Sequence, residues 1–88
     1  METRLLEYFV TVASERNVTA AAARLFAAQS TVSAGLASLE RDLGVRLFER
    51  STKSVRLTAA GEALLPYARA LLADVDALRG VASESGTG

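Results

Sequence analysis

The sequence predicts a mainly α domain in which three short helices and a small two-stranded hairpin are followed by one long helix. Three observations carry that reading. Val32, Leu36, Leu39 and Leu43 fall at i, i+4, i+7 and i+11, which is one apolar stripe along a helix. Gly44 follows, where a left-handed stop costs glycine least, and beyond it Val45–Glu49 and Ser54–Leu57 read as short strands around the polar turn Arg50-Ser51-Thr52-Lys53. Finally, Leu64, Leu65, Ala68, Leu71, Leu72, Val75 and Leu78 form an apolar stripe too long for so small a core to cover.

The elements follow in order. Leu5, Leu6, Phe9, Val12 and Ala13 recur at helical spacing, so a first amphipathic helix is expected from residue 3 to about residue 15, with Thr3 as its N-cap. Asn17-Val18-Thr19 interrupts the pattern. Thr19 is the expected cap of a second helix over Ala20–Ala27, whose run of alanines favours helix and close crossing, with Leu25 and Phe26 as anchoring bulk. Ala27 and Ala28 leave only a tight turn before Gln29 and Ser30 open the third helix. That spacing fits a helix-turn-helix. The side of the third helix opposite its apolar stripe carries Ser30, Ala34, Ser38 and Arg41, with Thr31 and Ser33 on its shoulders. Thr58 is the expected cap of the last helix. Pro66 should kink or break that helix, and the Gly/Ser-rich segment from Gly80 reads as a linker or frayed end.

Composition narrows the function. At 88 residues, half of them hydrophobic, the chain is one domain with material for a core. It has no cysteine and no histidine, which removes thiolate chemistry, the usual zinc ligands and the usual general base. No apolar run reaches membrane-spanning length and no signal sequence opens the chain, so a cytoplasmic protein is the default. The net charge is zero but unevenly spread: residues 1–15 carry −2, residues 16–58 carry +4, and residues 59–88 carry −2. A basic centre can attract phosphates despite overall neutrality.

The run Ala21-Ala22-x-x-Leu25, Gln29-x-x-Val32-Ser33, Leu39-Glu40-x-x-Leu43-Gly44-x-x-Leu47-Phe48-x-Arg50 and Leu57-Thr58-x-x-Gly61 resembles the DNA-binding domain of LysR-type transcriptional regulators, in order and without gaps from residue 2 to about residue 72. The resemblance implies a winged helix-turn-helix over residues 1–58, a linker helix over 59–79 that forms a homodimer, and a flexible tail over 80–88. It also implies a regulatory, effector-binding domain beyond this chain, so that the chain looks like a fragment or a naturally short relative. No cofactor or metal is implied.

In the family the start of the third helix enters the major groove of double-stranded DNA. The matching positions here are Gln29, Ser30, Thr31, Ser33 and Ala34. Gln29 suits adenine or a phosphate, and Thr31 and Ser33 suit phosphate oxygens or single base-edge contacts. Helix capping is the other reading of Ser30 and Thr31, and an idle surface hydroxyl that of Ser33. Lys53, at the tip of the wing, can meet the minor groove or phosphate, or remain a solvated loop cation. Arg50 can touch phosphate or pair with Glu40, and the pairing is preferred, with Glu40 structural. The sequence departs from the family at Ser30, where proline is common, and at Ala34 and Gly35, where long polar residues are common. Ala34 is then suited to a thymine methyl, with DNA shape carrying more of the specificity.

The dimer stripe is Leu64, Leu65, Ala68, Leu71, Leu72, Val75 and Leu78. A two-fold dimer implies an inverted-repeat operator. A protein-interaction module that has lost DNA binding is the alternative, against which stands the basic, hydroxyl-rich centre. An enzyme is the third, without any evident pair of catalytic carboxylates.

Overall fold

The computed structural model describes residues 1–50 and 54–87, the side chains of Arg50 and Thr87 excepted. Four helices, α1 (Thr3–Glu15), α2 (Val18–Arg24), α3 (Gln29–Leu43) and α4 (Ala59–Thr87), and two strands, β1 (Phe48–Arg50) and β2 (Val55–Leu57), follow the expected order. The strands are shorter than the sequence suggests and pair antiparallel, Phe48 opposite Leu57, Glu49 opposite Arg56 and Arg50 opposite Val55. The rest of the turn expected at Arg50-Ser51-Thr52-Lys53 lies outside the described residues.

Each helix buries the face its periodicity marks. Tyr8, Phe9 and Val12 of α1, Ala21 and Ala22 of α2, and Val32, Leu36 and Leu39 of α3 meet Leu47 and Phe48 in one core. Phe9 and Phe48 pack edge to face, ring centroids 5.6 Å apart, a geometry that aligns a ring's positive edge with its neighbour's negative face. Gly44 ends α3 at φ 74°, its N–H donating to the Glu40 carbonyl. Thr58 caps α4 as expected: its Oγ1 accepts from Gly61 N at 2.9 Å and donates to the Arg46 carbonyl. The Thr58 N–H meanwhile donates to the Leu47 carbonyl at 3.0 Å, so the cap ties α4 to the chain entering β1.

Several local expectations are corrected. Glu2, not Thr3, is the N-cap of α1, and its side chain makes no capping bond. Asn17, not Thr19, caps α2, accepting from Ala20 N at 2.8 Å. This fits the cap rule, because a side-chain oxygen at the cap reaches the amide three residues on. α2 therefore starts and stops earlier than Ala20–Ala27. Phe26 anchors nothing: its side chain is 98% exposed.

The long helix differs most. α4 runs unbroken through Pro66 and beyond Gly80 to Thr87. Pro66 and Glu62 both face solvent, where water can take the Glu62 carbonyl that proline leaves without a donor. Gly80 costs a helix only about 1 kcal/mol relative to alanine, and its neighbours Ala77, Leu78, Val81 and Ala82 all suit helix. The stripe expected at a dimer interface also divides. Leu65 and Ala68 are buried in the chain's own core, and Leu64 packs on its edge. Leu72 and Val75 are half-buried, whereas Leu71 and Leu78 are 50% and 69% exposed. Tyr67 and Val81 extend the exposed row.

Candidate nucleic-acid interface

The geometry of α2 and α3 is fixed from both ends. Arg24 at the end of α2 bonds Glu15 at the end of α1 at 2.9 Å. At the other end Thr19, in the first turn of α2, donates from Oγ1 to Oε1 of Gln29, in the first turn of α3, at 3.1 Å. The turn between them comprises Leu25, Phe26, Ala27 and Ala28, and Ala28 is the N-cap of α3 with extended backbone. No side chain caps α3. Capping is therefore not what Ser30 and Thr31 do, and their hydroxyls stay free for another partner.

Of the five α3 positions singled out by sequence, Gln29, Ser30, Thr31 and Ala34 are exposed and Ser33 is half-buried. Ser30, Thr31 and Ala34 lie on the side of α3 away from buried Val32, Leu36 and Leu39, whereas Gln29 and Ser33 flank the buried stripe at the start of the helix. Thr19 belongs with them, although sequence reasoning had spent it on a cap. Its bond occupies one lone pair of the Gln29 carbonyl and leaves the amide NH₂ as a donor. Ten residues separate the two, so only a tight turn of known geometry could have signalled the pairing.

Gly35 does not belong to that face. A Cβ there would come within 2.6 Å of the Tyr8 ring, so glycine is what lets α1 cross α3 closely. The absence of a long side chain at 35 is thus a packing requirement.

Glu40 is 8% exposed and structural, as expected. Its Oε2 accepts from Leu47 N at 2.7 Å and lies 3.4 Å from Arg46 Nε. The Arg50 side chain and Lys53 lie outside the described residues, so their expected roles are not located. Arg41 and Arg56 are exposed, and Arg46 turns a largely exposed guanidinium outward beside Glu40. Between Arg16 and Ser38 the sequence holds no acidic residue, and Glu15, which reaches the end of α2, is paired with Arg24, so little on α2 or the first turns of α3 repels a polyanion.

Among the described residues no group of three His, Cys, Asp or Glu side chains could hold a metal ion, and no helix is long and apolar enough to cross a membrane.

Comparison with known proteins points the same way. A family model described as bacterial regulatory helix-turn-helix protein, lysR family, matches residues 3–62. The HTH-type transcriptional regulator ShiR of Corynebacterium glutamicum (strain R) is 49% identical over 79 residues, covering 90% of this chain and 27% of that protein. The HTH-type transcriptional regulator ClcR of Pseudomonas putida is 51% identical over 72 residues, 82% of this chain and 24% of the relative. The crystal structure of the BenM_DBD/catB site 1 DNA complex superposes with a TM-score of 0.94 at 38% identity, over 100% of this chain and 99% of that one. The chain thus spans about a quarter of the length of the curated relatives it matches.

Proposed function

The chain belongs to the LysR family of bacterial regulatory helix-turn-helix proteins, and from that membership we propose that it is the DNA-binding part of a transcriptional regulator acting in the cytoplasm. The family is one of regulators rather than enzymes. In this reading α3 lies in the major groove of double-stranded DNA, with Gln29, Ser30, Thr31, Ser33 and Ala34 facing it. Lys53 at the tip of the wing meets phosphate or the minor groove, and Arg50 touches phosphate or pairs with Glu40. Two copies associate through the exposed row of α4, Leu71 and Leu78 with Leu64, Leu72 and Val75 beside them, and so read an inverted repeat. Leu65 and Ala68 leave that interface for the core. An effector-binding domain belongs to the whole regulator.

The observation that carries the reading is the start of α3: exposed donors and a small apolar Ala34, with no side-chain cap, in a segment without acidic residues from Arg16 to Ser38. A relative of high structural similarity is a DNA complex, which supports it. The test is fluorescence-anisotropy binding to random-sequence duplex across a salt series, followed by selection of bound sequences. The expected result is affinity that falls steeply with salt and an inverted repeat recovered by selection. No binding at low salt by a folded chain would instead favour a protein-interaction module.

A further inference from the structure

We propose that Phe26 is a DNA-backbone contact, its ring packing on deoxyribose carbons of the strand bordering the groove that α3 enters; this rests on the reading of α3 given above. The starting point is two penalties at one residue. α2 closes with Ala27 N donating to the Ala22 carbonyl at 3.0 Å and Phe26 N to the Ala23 carbonyl at 3.2 Å, the paired bonds of a left-handed helix cap. Phe26 holds the left-handed position at φ 54°, where glycine is favoured and a bulky side chain is an outlier.

Its ring is also 98% exposed, so the fold recovers nothing from it. Three described residues have left-handed backbone: Arg16, Phe26 and Gly44. Gly44 carries no side chain and Arg16 carries a solvated charge. Phe26 alone combines strain with a large apolar surface in water. A backbone strained for no internal gain points to a use outside the chain.

Position says what that use is. Phe26 precedes Gln29 by three residues, so their Cα atoms are at most about 11 Å apart. Phe26 lies on the turn that leads into α3 and its side chain is exposed to solvent there. The sequence around it, from Arg16 to Ser38, holds no carboxylate. A phenyl ring cannot bond phosphate oxygens. The apolar groups that DNA offers at the rim of a groove are sugar carbons, whereas thymine methyls lie further in, opposite Ala34. A sugar contact adds affinity without sequence preference.

The test uses the chain itself with two labelled duplexes, one selected from a random library by the wild-type chain and one of scrambled sequence. Phe26→Asn and Phe26→Gly accept the left-handed backbone without the ring, and Phe26→Tyr keeps the ring. Asn and Gly variants are expected to bind both duplexes about tenfold more weakly, a change of about 1.4 kcal/mol. The slope of log affinity against log salt should not change, because no charge is removed. The Tyr variant should stay within about twofold of wild type, since it retains the apolar ring face. Melting temperatures of the Asn and Gly variants should equal or exceed that of the wild type, which separates lost contact from lost fold.

Wild-type affinity in the Asn variant would overturn the inference and leave DNA binding by α3 standing. A loss confined to the selected duplex would overturn the sugar contact in favour of a base contact. Failure of the wild-type chain to bind any duplex would remove the reading beneath both. Unchanged DNA affinity with self-association that depends on Phe26 would assign the ring to a second copy and overturn the proposal.

Discussion

Glu40 has its carboxylate buried against the chain entering β1, where it meets the Leu47 amide and the Arg46 guanidinium. Leu47 is fully buried, so its N–H has no access to water once that oxygen is removed. Glu40→Ala should destabilise the fold by about 2–3 kcal/mol, the range for a lost hydrogen bond to a charged group that strands a buried donor. Glu40→Gln keeps an accepting oxygen and should cost less than half as much. Urea unfolding midpoints at unchanged slope would show both. The sequence could say that a carboxylate among residues expected to meet phosphate serves structure. It could not say which amide it caps, because that amide is seven residues away across a helix stop. Gly35 and Gly61 teach the same lesson. One admits the Tyr8 ring and the other the Leu47 carbonyl, whose oxygen a Cβ at 61 would overlap. Neither neighbour is visible in a helix propensity.

At the scale of the element, α4 carries apolar side chains on adjacent rows, one packed in the core and the other assigned to the proposed dimer. Residues seven apart nearly align after two turns, so Leu64, Leu71 and Leu78 form one row, and Leu65 and Leu72 form another about 100° away. The second row starts in the core at Leu65; the first ends at exposed Leu78. Substitutions should separate the two rows. Leu65→Ala should cost the fold about 2–4 kcal/mol, as large-to-small changes in cores do. Leu71→Ser with Leu78→Ser should leave the folded monomer within about 0.5 kcal/mol and weaken self-association. Thermal unfolding checks the first and sedimentation against concentration the second. A single stripe was legible from the sequence, but its division was not. Apolar periodicity says that a face is buried, and only the packing partner says against what.

At the scale of the molecule, a body of 52 × 25 × 19 Å is set by its longest helix, which projects past the core. A dimer built on that projecting half holds its two α3 helices at a fixed separation. DNA presents the same face once per turn of about 10–10.5 base pairs. Inserting about five base pairs, half of that turn, between selected half-sites should reduce affinity to that of a single half-site, whereas inserting a whole turn should cost much less. Electrophoretic mobility shifts on the three duplexes measure this. Net neutrality does not oppose such binding, since the positive charge is concentrated in residues 16–58 and the negative charge at either end.

The sequence by itself determined the order of the elements, the buried face of α3, the stop at Gly44, the cap at Thr58 and the family resemblance. All but the resemblance, which rests on many such spacings in series, depend on spacing along one element or on fixed local chemistry. Tertiary structure decided what lies across space: that Tyr8 fills the site of Gly35, that Thr19 steadies Gln29, that Leu65 and Ala68 turn inward, and that Phe26 faces water. The reason is physical. Helical periodicity and caps are interactions along the chain, whereas burial depends on which surface arrives from elsewhere in it.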